Sequence, residues 1–95
     1  MSRIARQVFT EPSDIARIEQ LVCALPTYAK VRVVTRDGET YSGTVTERPA
    51  TMVFDDIQGN SGINALVRLD DPAVPPEVYL WLGDIAQIER LDPPS

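Results

Sequence analysis

Ninety-five residues make one domain with one modest core, because a chain of this size buries roughly two thirds of the surface its unfolded form exposes. An apolar content of 43% with 24% charged residues excludes a disordered chain, and no apolar run approaches the ~20 residues of a membrane span. The net charge is −5, with six bases against three acids in residues 1–36 and three bases against eleven acids in residues 37–95, a poor balance for binding a phosphate backbone.

The N-terminal MSRIARQVF has two arginines but no apolar core, so it is not a secretory leader. The single cysteine, Cys23, makes no internal disulfide, and both features place the protein in the cytoplasm. The first element is a helix over about 11–25. Thr10 caps it, Pro12 stands in its first turn, and Glu11 and Asp14 lie at its positive end. Ile15, Ile18, Val22 and Leu25 are spaced 3, 4 and 3, with Leu21 widening the apolar stripe, and Pro26 ends the run. A helix this short is marginal alone. It therefore packs across the open end of a barrel or offers its stripe to a partner. Cys23, beside the stripe, is expected to be a buried, inert thiol.

Val31 to Val45 reads VRVVTRDGETYSGTV, with apolar residues at alternate positions on either side of Asp37-Gly38. Alternation means half-buried strands, and Asp-Gly between them is a hairpin signal because both residues tolerate positive φ. Gly43 within the second strand, over about 39–47, predicts a sharp bend or a close backbone approach. Pro49 interrupts that strand. Thr51 to Asp56 is a short strand candidate with Met52 and Phe54 on one face, and Gly59 to Gly62 a turn. Ile63, Ala65, Val67 and Leu69 alternate with polar residues as a further strand. A proline-stiffened loop, residues 71–76, leads to Val78, Leu80 and Leu82, which alternate with Tyr79 and Trp81. Gly83-Asp84 breaks this strand. Ile85, Ile88 and Leu91 close the domain with a spacing as helical as it is strand-like, and Pro93-Pro94-Ser95 is a tail.

One N-terminal helix followed by five or six short strands is a mainly β domain, a small and strongly bent antiparallel barrel over about 30–91. The residues resemble the Sm-like proteins, which include the Sm and Lsm ring proteins and bacterial Hfq. The first motif of that family is an alternating strand, a turn glycine, then an aromatic residue, a glycine and an apolar residue. Val31, Val33, Gly38, Tyr41, Gly43 and Val45 occupy it in register. Trp81, Leu82, Gly83, Asp84, Ile85 and Ile88 resemble the second, which carries an Arg-Gly pair. The chain looks most like a bacterial Sm-like subfamily of uncharacterised role. The resemblance implies a five-stranded barrel, with Gly38, Gly43 and Gly83 defining the fold. It leaves residues 48–62 as an inserted strand or loop, and implies rings built by strand pairing between subunits.

RNA-binding members build a base pocket from an acid and an Asn, with a stacking side chain between them, in the loop after strand two, and from the Arg of the Arg-Gly pair. Counting from Gly43, the acid's place falls on Pro49, the Asn's on Val53 and the Arg's on Leu82, none with a side chain that hydrogen-bonds a base. If residues 48–62 are extra, the loop slides to Ile63-Asn64 and Asn64 becomes a pocket residue. Lys30, Arg32 and Arg36, with Arg3, Arg6 and Arg17, form the alternative basic RNA face. Tyr79 and Trp81 share one strand face and are candidates for an interface or, failing that, for stacking on bases.

Catalysis is not expected. There is no histidine, and Cys23 lacks an activating partner. Asp55-Asp56 and Asp70-Asp71 would hold a hard cation only if their loops converged, and no phosphate loop is present, so no cofactor or metal is assigned. The favoured function is a non-enzymatic module that self-assembles or binds a protein, with its RNA pocket degraded. The alternative is an RNA-binding Sm-like protein using the basic N-terminal face. Neither invokes a membrane or a small-molecule substrate.

Overall fold

The computed structural model describes residues 4, 5, 7–71 and 77–91. Arg3 and Arg6 of the expected basic face, most of the proline loop and the Pro93–Ser95 tail lie outside the described residues. Helix α1 spans Pro12–Cys23, shorter than expected at its C-terminal end. Its N-cap is Glu11, in extended backbone and without a side-chain cap, and not Thr10. Pro12 takes the first helical position, where its missing N–H matters least. Ile18 is wholly buried, and so is Leu25 in the turn beyond the helix. Cys23 is exposed, contrary to expectation. It follows Ile18 by five residues, about 140° around the helix, so it points away from the buried stripe.

Seven strands follow among the described residues: β1 (Lys30–Thr35), β2 (Thr40–Val45), β3 (Met52–Asp55), β4 (Ser61–Asn64), β5 (Leu66–Asp70), β6 (Val78–Trp81) and β7 (Ile85–Arg90). A single 3-10 turn, Leu82–Asp84, joins β6 to β7. Five strands form one antiparallel sheet in the order β6-β5-β2-β1-β7, and β3 pairs with β4. The ambiguous last segment is therefore a strand. Its ladder to β1, from Val31↔Arg90 to Thr35↔Ile85, overrides the helical spacing of its apolar residues.

Residues 48–62 hold a loop and the strand β3, which pairs with β4 in a two-stranded sheet of its own. Val45 pairs with Leu69, and seven residues on Met52 pairs with Asn64, so residues 46–51 lie opposite the shorter run 65–68. β2 and β3 are thus two halves of one bent strand, β4 and β5 two halves of its partner, with a two-residue excess at the bend. Pro49, which has no N–H for a ladder, lies in that excess. The turn accordingly falls at 57–60 and not at 59–62, since Ser61 and Gly62 already belong to β4.

The strands alternate as their sequence requires. Val31, Val33, Val45, Val67 and Leu69 face a single core with Ile18, Leu25, Leu82 and Ile85, while Lys30, Arg32, Leu66 and Arg68 face outward. Gly38 has φ +89°, the left-handed turn that its sequence predicts. A Cβ on Gly43 would lie 3.0 Å from the Asp70 carbonyl oxygen, so β5 packs closely there. A Cβ on Gly83 would overlap the Phe9 ring, which closes the bottom of the core.

Candidate functional site

The described part of the expected basic face falls into two pairs: Lys30 and Arg32 share the outer face of β1, and Arg17 and Arg36 lie close enough for their charges to interact. Lys30 lines a cleft with Gly43, Asp70 and Leu91, whereas Arg36 lines a separate one with Asp37, Tyr41 and Asp84. Arg32 is paired with Glu89 of β7 at 3.1 Å. Arg17 donates to the Ile85 carbonyl and so ties α1 to β7. Burial lowers its pKa, and the nearby Arg36 charge adds to the effect.

The base-pocket positions fare no better. Leu82 is fully buried, and its amide donates to the Ala65 carbonyl at 2.8 Å, so a core side chain fills the place of the guanidinium. Asn64 is not a pocket residue but an internal clamp, 1% exposed. Its Nδ2 donates to the Gln7 carbonyl at 2.8 Å, and its Oδ1 accepts from the Ala65 amide at 2.8 Å and the Gly83 amide at 3.1 Å. One amide thereby joins the N-terminal segment, the bend between β4 and β5, and the 3-10 turn.

Counting from Gly43 as if there were no bend put the acid's place on Pro49 and the Asn's on Val53. With β2 continued into β3, the loop between the paired strands is the tip at 56–60. An acid and an Asn do occur there. Asp56 accepts from the Gln58 amide at 2.9 Å, the Asn60 amide at 2.8 Å and the Asn60 Nδ2 at 3.1 Å. These bonds, the Asn60 amide foremost, hold the Asp56 carboxyl below its ordinary pKa. The sequence signal for them was Asp followed four residues later by Asn across Gly59, a local turn in which a side chain stands in for backbone. Among the described residues no three potential metal ligands of the His, Cys, Asp or Glu type come together.

The most developed surface feature lies on the outer face of β5 and β6. β6 is an edge of the five-stranded sheet. Val78 and Leu80 face inward, while Tyr79 and Trp81 face outward, with Tyr79 54% exposed. Trp81 meets Phe54 of β3 edge to face, with centroids 5.1 Å apart. Beside them runs a groove of about 550 Å³ lined by Arg48, Met52, Phe54, Leu66, Arg68 and Tyr79 among others. The bend at 46–51 brings the β3 side chains over this face, so the groove exists only because the long hairpin curves.

A family model for a domain of unknown function, DUF3247, matches residues 2–91. The crystal structure of XC5848 from Xanthomonas campestris, which adopts a novel variant of the Sm-like motif, superposes with a TM-score of 0.89 at 30% identity. The match covers 97% of this chain and 100% of that one. No curated protein matches. No helix among the described residues is long and apolar enough to cross a membrane.

Proposed function

This chain belongs to the DUF3247 family and carries an Sm-like variant fold, and from that premise we propose that it is a non-enzymatic binding module acting through self-association or a protein partner, not through RNA. The observation that carries this reading is Leu82: where the resemblance calls for a base-binding guanidinium, an apolar side chain is sealed in the core. Removing that side chain's charge and donor fork removes what a base edge would pair with. Two of the cations are already engaged, which supports the same reading: Arg32 pairs with Glu89, and Arg17 donates to backbone.

Two features favour protein contact. β6 ends the sheet, and an edge strand offers unpaired N–H and C=O groups to another chain. Beside it lie exposed Tyr79 and Leu66 and the groove, the mixture of aromatic and arginine side chains found in the cores of interfaces. The proposal places the protein in the reducing cytoplasm, in keeping with the free, exposed thiol of Cys23.

The RNA reading retains one supporting observation, the Asp56–Asn60 pair at the hairpin tip. Fluorescence anisotropy of labelled oligo-U and oligo-A at low and moderate salt separates the two. The protein-contact reading expects no saturable binding at either salt. Binding that falls steeply with salt, and falls further in the Lys30→Ala/Arg36→Ala variant, would establish RNA instead.

A further inference from the structure

The tip of the long hairpin carries the most exposed of the large apolar side chains among the described residues, Ile57, at 86%. It follows directly on Asp55 and Asp56. The turn is rigid, because Asp56 holds the backbone amides of Gln58 and Asn60 and the Asn60 side chain as well. Ile57 is thus a fixed, projecting apolar side chain preceded by two carboxylates.

The groove beside β6 is its chemical complement. Its floor is apolar, formed by Met52, Phe54, Leu66 and Tyr79. Its rim carries Arg48 and Arg68, two of the three bases in residues 37–95, together with one carboxylate, Glu47. Arg68 shares its guanidinium with Asp70 at 3.2 Å. The Arg48 guanidinium touches the Cys23 sulfur at 3.8 Å and pairs with no carboxylate among the described residues. Arg68 is thus already engaged by a carboxylate, and Arg48 is the cation of this groove that a carboxylate from outside would meet.

Ile57 cannot reach the groove of its own chain. Met52 and Phe54 line the groove, and the ladder from Met52↔Asn64 to Asp55↔Ser61 holds the tip away from them as a paired hairpin. We propose that the groove takes the Asp55-Asp56-Ile57 tip of a second copy of this chain. The contact is head-to-tail: Ile57 enters among Leu66, Phe54 and Tyr79, and the carboxylate of Asp55 meets Arg48. A head-to-tail contact repeats until a ring closes or a filament grows. This inference rests on the protein-contact reading above and names the occupant of that surface.

Sedimentation velocity over a range of concentrations tests it, using the full chain and the variants Ile57→Ser, Leu66→Arg, Arg48→Glu, Asp55→Arg and the double variant Arg48→Glu/Asp55→Arg. All four side chains are wholly or partly exposed, and far-UV circular dichroism checks that each variant remains folded. The expected result is that the unaltered chain sediments as a multiple of its 10.5 kDa mass. Ile57→Ser and Leu66→Arg should each weaken association at least tenfold. Arg48→Glu and Asp55→Arg should each weaken it, and their combination should recover most of the loss. If Leu66→Arg dissociates the assembly while Ile57→Ser leaves it intact, the groove is an interface but the tip is not its occupant, and the inference fails alone. If the double variant is no better than the singles, the charge pairing is wrong and the inference fails likewise. A chain that is monomeric throughout overturns self-association, and the inference with it.

Discussion

Gly83 and Phe9 show how far a single side chain decides this fold. The ring lies where a Cβ on Gly83 would stand, and Phe9 is 7% exposed, so neither has room to yield. Gly83→Ala should destabilise by about 1–3 kcal/mol, the usual range for forcing atoms into a packed core, and lower the urea midpoint accordingly. Asp56 provides a pH test at the surface. Its folded pKa lies below the ordinary 3.8, so its contribution to the tip is fully present above that value and is lost as pH falls through the folded pKa. In an NMR titration, the Gln58 and Asn60 amides should therefore hold their native shifts below pH 3.8 and move only at more acid pH. Movement centred at or above 3.8 would show that the turn does not engage the carboxylate. Gly38 and Gly43 were legible in the sequence because Gly38 follows an Asp between two alternating runs and Gly43 sits inside the second of them. Asn64 was not, because its clamp depends on Gln7 and Gly83, which are remote in the chain and meet only in the folded molecule.

The helix and the first hairpin were equally legible among the elements. Both carry strong local periodicity, and the structure only trims their ends. The Ile18 position anchors α1 with no exposed surface, and Ile18→Ala should cost about 2–5 kcal/mol. By contrast, Arg32→Ala should change stability by less than about 1 kcal/mol, because both partners of its ion pair are half exposed. Chemical denaturation of the two variants side by side checks that ordering. Two elements were hidden for a physical reason. Ile85, Ile88 and Leu91 repeat every three residues, and only the ladder with β1 makes them a strand. The long bent hairpin reads as a strand, a break and an insert, because Pro49 and the excess residues around it interrupt alternation at the bend. Register between β2–β3 and β4–β5 is a pairing of distant residues, and no local pattern carries it.

The whole molecule combines an Sm-like variant architecture with a surface reorganised around the bend. That bend puts Asp56 and Asn60 out at the hairpin tip and folds Met52 and Phe54 over the outer face of β5 and β6. It therefore creates a groove beside the Tyr79 face, while Leu82 is sealed in the interior. The architecture was legible in the sequence through the glycine-spaced first motif. The groove was not, since it depends on curvature. On the proposed function, this surface serves protein contact and the chain meets copies of itself there. The most direct test is the molar mass of the unaltered protein by light scattering across micromolar to millimolar concentration. The account predicts a mass that rises to a multiple of 10.5 kDa. A constant 10.5 kDa across that range would contradict it.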